Sequence, residues 1–266
     1  LLLVLQCCLS GRNLFRALIG GLGFLLAALP PALAADQVLF LQDNAYAPYM
    51  TVENGMPAGL YAEILFEAQR RMDASNLSVQ AVPWTRATVL VENGYAQGLV
   101  GSYYKPTDRP WIRHWSVPIF FEEVSIFCRS GIAQPGWIYP DDYKGLLFGN
   151  VAGYKAPGDR FFELVEQGVI KLEEAQTTEQ NLDKLALGRI DCYVVERIAT
   201  EVLIREKNIK NVQIAGTASL EAAYIGYSDK WTGPNADAFI KAMDETLTAM
   251  KADGTIDRII AKFIGS

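Results

Sequence analysis

From residue 38 onward the chain switches between short, nearly continuous apolar runs and longer stretches in which apolar residues recur every three or four positions. The first pattern predicts buried strands, the second helices with one apolar face. "QVLFL" predicts a strand over residues 38 to 41, and "LYAEILFEAQRRM" sets Leu60, Tyr61, Ile64, Leu65, Ala68 and Met72 on one face of a helix. "LSVQAV" predicts a second strand, "TRATVLVENG" a short helix capped by Thr85 and stopped by Gly94, and "GLVGS" a third strand. Strands separated by helices imply a parallel sheet covered by helices.

The alternation then starts again. "EEVSIFCR" and "LLFGNV" predict strands, "GDRFFELVEQG" a helix with Phe161, Leu164 and Val165 on one face, and "VIKLEEA" a strand. "TTEQNLDKLALG" predicts a helix between a cap at Thr178 and a stop at Gly188, followed by a strand in "RIDCYVVE" and a helix in "RIATEVLIREKN". "NVQIAG" and "AAYIGYS" predict two more strands, and the last segment two helices broken at Gly254. Both halves contain a helix, a glycine and a strand in that order, which suggests two similar α/β lobes. Ligands of open α/β sheets bind outside the carboxyl ends of the strands. Ser102 and Glu196 fall at such ends, one in each half.

The N-terminus needs a separate account. In "RNLFRALIGGLGFLLAALPPALAAD", Arg12 and Arg16 precede an apolar run that ends in Ala32, Leu33 and Ala34, the layout of a secretory signal peptide. Residues 1 to 34 are therefore expected to be removed on export to the periplasm. A transmembrane anchor needs about 18 apolar residues, a length residues 17 to 35 also reach; the glycines, prolines and A-L-A end favour cleavage. The 266 residues suit one large domain or two lobes, and a hydrophobic content of 50% supplies a core. A net charge of -6, with no basic patch or zinc-finger spacing, gives no ground for nucleic-acid binding. Cys7 and Cys8 lie in the discarded segment, without the small residue of a lipid-attachment site before them. Cys128 and Cys192 remain, and both the free-thiol and disulfide readings stay open. No metal-ligand spacing appears and no cofactor is expected; "GNVAGYK" lacks the G-K-[ST] of a phosphate loop.

Five segments together resemble a known family. "DNAYAPYMTVENGMPAGLYAEILFEAQRRM" contains a Y-x-P-Y opening followed by a glycine turn and a helix, and "VPWTRATVLVENGYAQGLVGSYYKPTDR" runs from an aromatic residue through helix, glycine and strand to T-x-R. "HWSVPIF", "LALGRIDCYVVE" and "LTAMKADGTIDRIIAKF" complete the order. The chain resembles the periplasmic solute-binding proteins of amino-acid ABC transporters, the polar amino-acid type (extracellular solute-binding family 3). The resemblance implies a two-lobed α/β fold, two open sheets joined by two hinge strands. Residues 35 to 120 and 226 to 266 would form lobe one and residues 121 to 225 lobe two, with hinge bending over the ligand.

Residue by residue, the resemblance places Arg109 on the arginine that grips an α-carboxylate and Glu196 on the acidic residue that takes an α-ammonium. Tyr46 and Trp84 fall on the aromatics that sandwich a ligand side chain, Asp43 near its far end, and Ser102 against the head group. Gly153, Tyr154 and Lys155, before a helix beginning near Asp159, would add backbone N–H groups. The chemistry agrees, because a zwitterion leaving water needs both charges paired and arginine offers a carboxylate a bidentate fork. Tyr104 replaces a small hydroxyl residue, which reshapes the head-group pocket. Arg86 beside Trp84 suits an acidic ligand and Asp43 a basic one.

Structural roles compete at several of these positions, and Trp84 also reads as core packing. Arg109 has Asp108 and Glu122 as candidate salt-bridge partners, and Glu196 is placed to cap the helix after it. Trp111, Trp115, Phe120 and His114 read as packing or surface residues. The expected protein is a monomer that captures a small amino acid or related zwitterionic or carboxylate solute and delivers it to an ABC permease, without catalysis. The alternatives are a cyclohexadienyl or arogenate dehydratase-like enzyme with Glu196 or Glu122 as acid, and a ligand-presenting sensor component.

Overall fold

The computed structural model describes residues 37–264. The expected signal peptide, with Cys7 and Cys8, lies outside the described residues. Strand β1 (Val38–Asp43) leads through a hairpin of β2 (Thr51–Glu53) and β3 (Met56–Ala58) into helix α1 (Leu60–Met72). Then come β4 (Leu77–Val82), α2 (Trp84–Glu92), β5 (Gly98–Tyr103) and β6 (Ile112–Trp115). Strand β1 pairs in parallel with β4 on one side and β5 on the other, as the strand-helix alternation requires. Strand β7 (Phe121–Arg129) opens the second half, followed by β8 (Leu147–Val151), α3 (Asp159–Glu166), β9 (Lys171–Ala175), α4 (Thr178–Ala186), β10 (Cys192–Glu196) and α5 (Arg197–Glu206). Here β8 pairs in parallel with β9 and β10. The chain finishes through β11 (Val212–Ser228), α6 (Pro234–Ala252) and α7 (Thr255–Ile264).

The two sheets are joined through β7 and β11, which are antiparallel to one another. Strand β11 pairs with β7 from Val212 to Ala222, then with β5 from Ala223 and with β6 near its end. One 17-residue strand thus replaces the two expected from the sequence. Gly216 and Ser219 interrupt the apolar pattern in its middle; the register to β7 shifts between Ile214 and Gly216 and between Thr217 and Ser219, and pairing resumes past each shift. Each half has its own apolar core. One gathers Phe40, Leu60, Ile64, Val100, Ile225 and Met243, the other Val124, Phe148, Phe161 and Val194.

Local chemistry accounts for the other departures. Asn54 and Gly55 both have positive φ (52° and 78°), the conformation of a type I′ hairpin turn, and this makes β2 and β3 a hairpin too short for periodicity to reveal. Thr85 lies inside α2, whose cap is Pro83; Thr177, not Thr178, caps α4 by accepting a bond from the Gln180 N–H. Gly188 and Gly254 follow helix ends with φ of 72°, as stop signals should. Cys128 and Cys192 face each other across β7 and β10 and form a disulfide, which closes the choice the sequence left open.

Candidate functional site

The parallel strands of both halves end at one cleft. Tyr46 and Met50 follow β1, Gly101 and Tyr103 end β5, Arg109 comes from the loop after β5, and Trp84 begins α2. From the other half come Tyr154, Lys155 and Ala156 after β8, and Val195 and Glu196 at the end of β10; Glu122 enters from β7 near the crossover. The lining encloses about 440 Å³ of empty space, part of it open to solvent. Gly101 is required at this wall. Its φ is +73°, and a Cβ there would stand 2.9 Å from Met50 Cε and 3.2 Å from the Tyr61 ring.

Arg109 is 5% exposed, and its guanidinium lies 5.5 Å from the Trp84 ring centroid. Neither carboxylate proposed as its structural partner binds it. Asp108 pairs with Lys155 at 2.7 Å, and Glu122 accepts bonds from Tyr46 (2.8 Å), Tyr61 (2.5 Å) and Tyr103 (2.5 Å). Burial lowers the Arg109 pKa to about 10, so it remains cationic at neutral pH. Asp108 offsets part of that lowering but forms no ion pair with Arg109, so the buried guanidinium faces the cavity without a direct anionic contact among the described residues, an arrangement suited to an anion.

Glu196 does cap α5, accepting from the N–H groups of Ile198 (2.8 Å) and Ala199 (2.7 Å). It also faces the cavity. Burial, with Glu122 adding to it, raises its pKa to about 7, against the opposing pull of the two N–H donors and the Tyr49 hydroxyl. Glu122 is likewise raised, by burial, with its three tyrosine donors holding it down. Both carboxyls are 1% exposed.

The structure brings Tyr46, Trp84, Arg109, Tyr154, Lys155 and Glu196 together in the lining. Asp43 stands behind them and accepts the Tyr154 hydroxyl at 2.6 Å; Gly153 accepts the Trp84 indole N–H at 3.2 Å. Tyr154 meets both Tyr46 and Trp84 edge-on, so the expected aromatic pair is an aromatic triad. Four further expectations are corrected. The Tyr154 N–H bonds to the Val151 carbonyl and is not a free donor. Ser102 is buried, its hydroxyl on the Tyr103 carbonyl, and Tyr104 is 54% exposed and packs against Trp115 and Tyr224; neither lines the cavity. Arg86 is exposed on α2 and adds no charge to the site. Tyr103 and Met50 were not singled out in advance. Tyr103 carried a signal, since alternation along β5 sends it to the face opposite its neighbour Ser102, but Met50 belongs to a loop whose path only the Tyr46 and Met50 bridge defines.

Two α/β halves joined by antiparallel strands, with a charged, aromatic-walled cleft between them, match the architecture of periplasmic-binding-protein-like structures. The chain belongs to the bacterial extracellular solute-binding proteins, family 3, whose model matches residues 39–266. Solved structures share the fold. A histidine kinase sensor domain with similarity to periplasmic binding proteins is 20% identical, with a TM-score of 0.71 over 86% of this chain and 96% of that one. An ancestral arginine-binding protein bound to arginine is 17% identical, with a TM-score of 0.71 over 85% and 97%. The GluR0 ligand-binding core from Nostoc punctiforme, in complex with L-glutamate, is 15% identical, with a TM-score of 0.70 over 86% and 100%. A search of the curated proteins returned no match. Among the described residues no helix is long and apolar enough to cross a membrane.

Proposed function

We propose that the protein captures a small amino acid in the interlobe cleft and, as a monomer exported to the periplasm, delivers it to an ABC permease. The observation that carries this is Arg109, a buried cation facing the cavity without a direct ion pair among the described residues, with Glu196 on the opposite side of the cleft to receive an ammonium group. The solved relatives described as arginine-binding and glutamate-bound support an amino acid as the ligand class. The test is calorimetry or thermal shift on residues 35–266, unfolded and refolded to remove carried ligand, against a panel of amino acids. A ligand at about 100 times its Kd adds roughly 2.7 kcal/mol of stability. Arg109→Ala should abolish that gain; an unchanged gain in the variant removes the carboxylate assignment.

A second reading draws on Glu196, whose carboxyl near neutrality inside the cavity suits a general acid. It supports dehydratase-like chemistry, and turnover of prephenate or arogenate that Glu196→Gln abolishes would establish it. The histidine kinase sensor domain of the same fold supports ligand presentation to a receptor as another use of the same binding event.

A further inference from the structure

Lys155 lines the cavity, yet its charge is already taken. It belongs to the segment between β8 and α3, and its Nζ pairs with Asp108 across the cleft at 2.7 Å. The Phe162 ring, with its centroid 4.7 Å from Nζ, holds the same ammonium group from its own side. On the facing side, Asp108 immediately precedes Arg109, in a turn closed by the bond from the Arg109 N–H to the Lys105 carbonyl (2.9 Å). The lysine thus reaches the residue next to the arginine that faces the cavity.

Position matters more here than the strength of the pair. Both side chains are partly exposed, at 32% and 24%, and such pairs contribute little stability. Asp108 is nonetheless the anion whose field reaches Arg109, where it offsets part of the effect of burial. The two carboxyls that line the cavity are occupied elsewhere, Glu122 by three tyrosine hydroxyls and Glu196 by two N–H groups of α5. Without Lys155, Asp108 is an unpaired carboxylate one residue from a buried guanidinium that lacks an ion pair. A buried arginine gains from a carboxylate within its reach. An incoming anion would then have to displace Asp108 before it could bind.

We propose that Lys155 is a positioning residue that holds Asp108 away from Arg109, so that the guanidinium fork stays open to the anionic group of the ligand. This rests on the reading of Arg109 as the anion site given above. The lysine acts through the aspartate and makes no contact with the ligand. Because Lys155 and Asp108 come from opposite sides of the cleft, separation of the two sides withdraws the lysine and returns Asp108 to Arg109. The strength of the anion site is thereby tied to the apposition of the two sides.

The test compares wild type with Asp108→Asn, Lys155→Gln, Lys155→Arg and the double variant Asp108→Asn/Lys155→Gln. Both side chains are partly exposed, so these substitutions spare the apolar cores. Calorimetry with L-alanine, L-glutamate and L-arginine covers neutral, acidic and basic side chains. For each of these that binds wild type, Lys155→Gln should weaken affinity on the order of tenfold. Lys155→Arg and Asp108→Asn should stay within about threefold of wild type, and the double variant should return to the same margin. A double variant as weak as Lys155→Gln would mean that the lysine contacts the amino acid itself. Asp108→Asn as weak as Lys155→Gln would mean that the pair is a plain clamp; either result overturns the proposal. A second measurement needs no ligand. The Arg109 Nε–H resonance of the ligand-free protein should shift in Lys155→Gln and return in the double variant, and a resonance that Lys155→Gln leaves in place overturns the proposal. If none of the three amino acids binds wild type, the amino-acid reading falls, and the resonance alone decides the role of Lys155.

Discussion

At the scale of single residues, the site is governed by how each charge is left after burial. Glu196 releases its proton near pH 4.5 when unfolded and holds it to about pH 7 when folded. Between those values the folded chain binds more protons than the unfolded one, so stability falls as pH rises from about 4.5 to about 7 and then levels. The contribution is on the order of 3 kcal/mol from a shift of this size. Glu122 and Asp43, also raised by burial, act in the same direction. Melting temperatures of wild type and Glu196→Gln across that range check the claim, and the curves should lie together near pH 4.5 and separate toward pH 7, with the variant the more stable where the wild-type carboxyl is deprotonated and costs most. A pH-independent difference would mean that Glu196 keeps its ordinary pKa, through its N–H donors at the start of α5. Arg109 is the counterexample, since its lowered value still lies well above neutrality and predicts no change in this window.

At the scale of elements, the parallel core was readable because each strand there is a continuous apolar run closed by a helix that its caps and stops announce. Strand β10 with its buried Cys192, Tyr193, Val194 and Val195 is the plainest case. Where pairing was decided by partners distant in sequence, the pattern gave little. The middle of β11 is half exposed and mixed in composition, and β6 is four residues with two exposed. The same division holds in the site. Arg109 and Glu196 were legible as charges at loop and strand ends, whereas the Glu122 cluster needs tyrosines from three elements to be seen. The disulfide belongs to this scale too, because it joins β7 to β10 directly across the antiparallel pair. Its closed loop spans a sequence separation of 64 residues, and constraining an unfolded chain over such a loop contributes about 2–4 kcal/mol. Replacing Cys128 and Cys192 by alanine should lower the melting temperature while leaving ligand affinity within about twofold, since neither sulfur lines the cavity. Loss of binding in a variant that remains folded would show instead that the bridge positions Glu196.

Across the whole molecule, a few polar contacts bridge the two sides of the cleft. Trp84 donates to Gly153, Tyr154 to Asp43, and Lys155 pairs with Asp108, each contact joining residues of the two lobes. A neutral hydrogen bond contributes about 0.5–1.5 kcal/mol and a partly exposed ion pair about 0–1 kcal/mol, so together they favour closure by only a few kcal/mol. That is the regime in which a ligand's differential affinity can control the open and closed populations. Tyr154→Phe isolates one of these contacts, because it keeps the ring against Tyr46 and Trp84 and removes only the bond to Asp43. The bond is charge-assisted when Asp43 is ionised, and its loss should move the ratio of closed to open molecules by about tenfold. Small-angle scattering of the ligand-stripped variant should then give a larger radius of gyration than wild type, and saturating ligand should restore it. Apparent affinity should fall by the same factor as the closed fraction, since the binding-competent state is rarer while its contacts are intact. An unchanged radius with a weakened affinity would assign the Tyr154 hydroxyl to ligand contact and remove it from the latch.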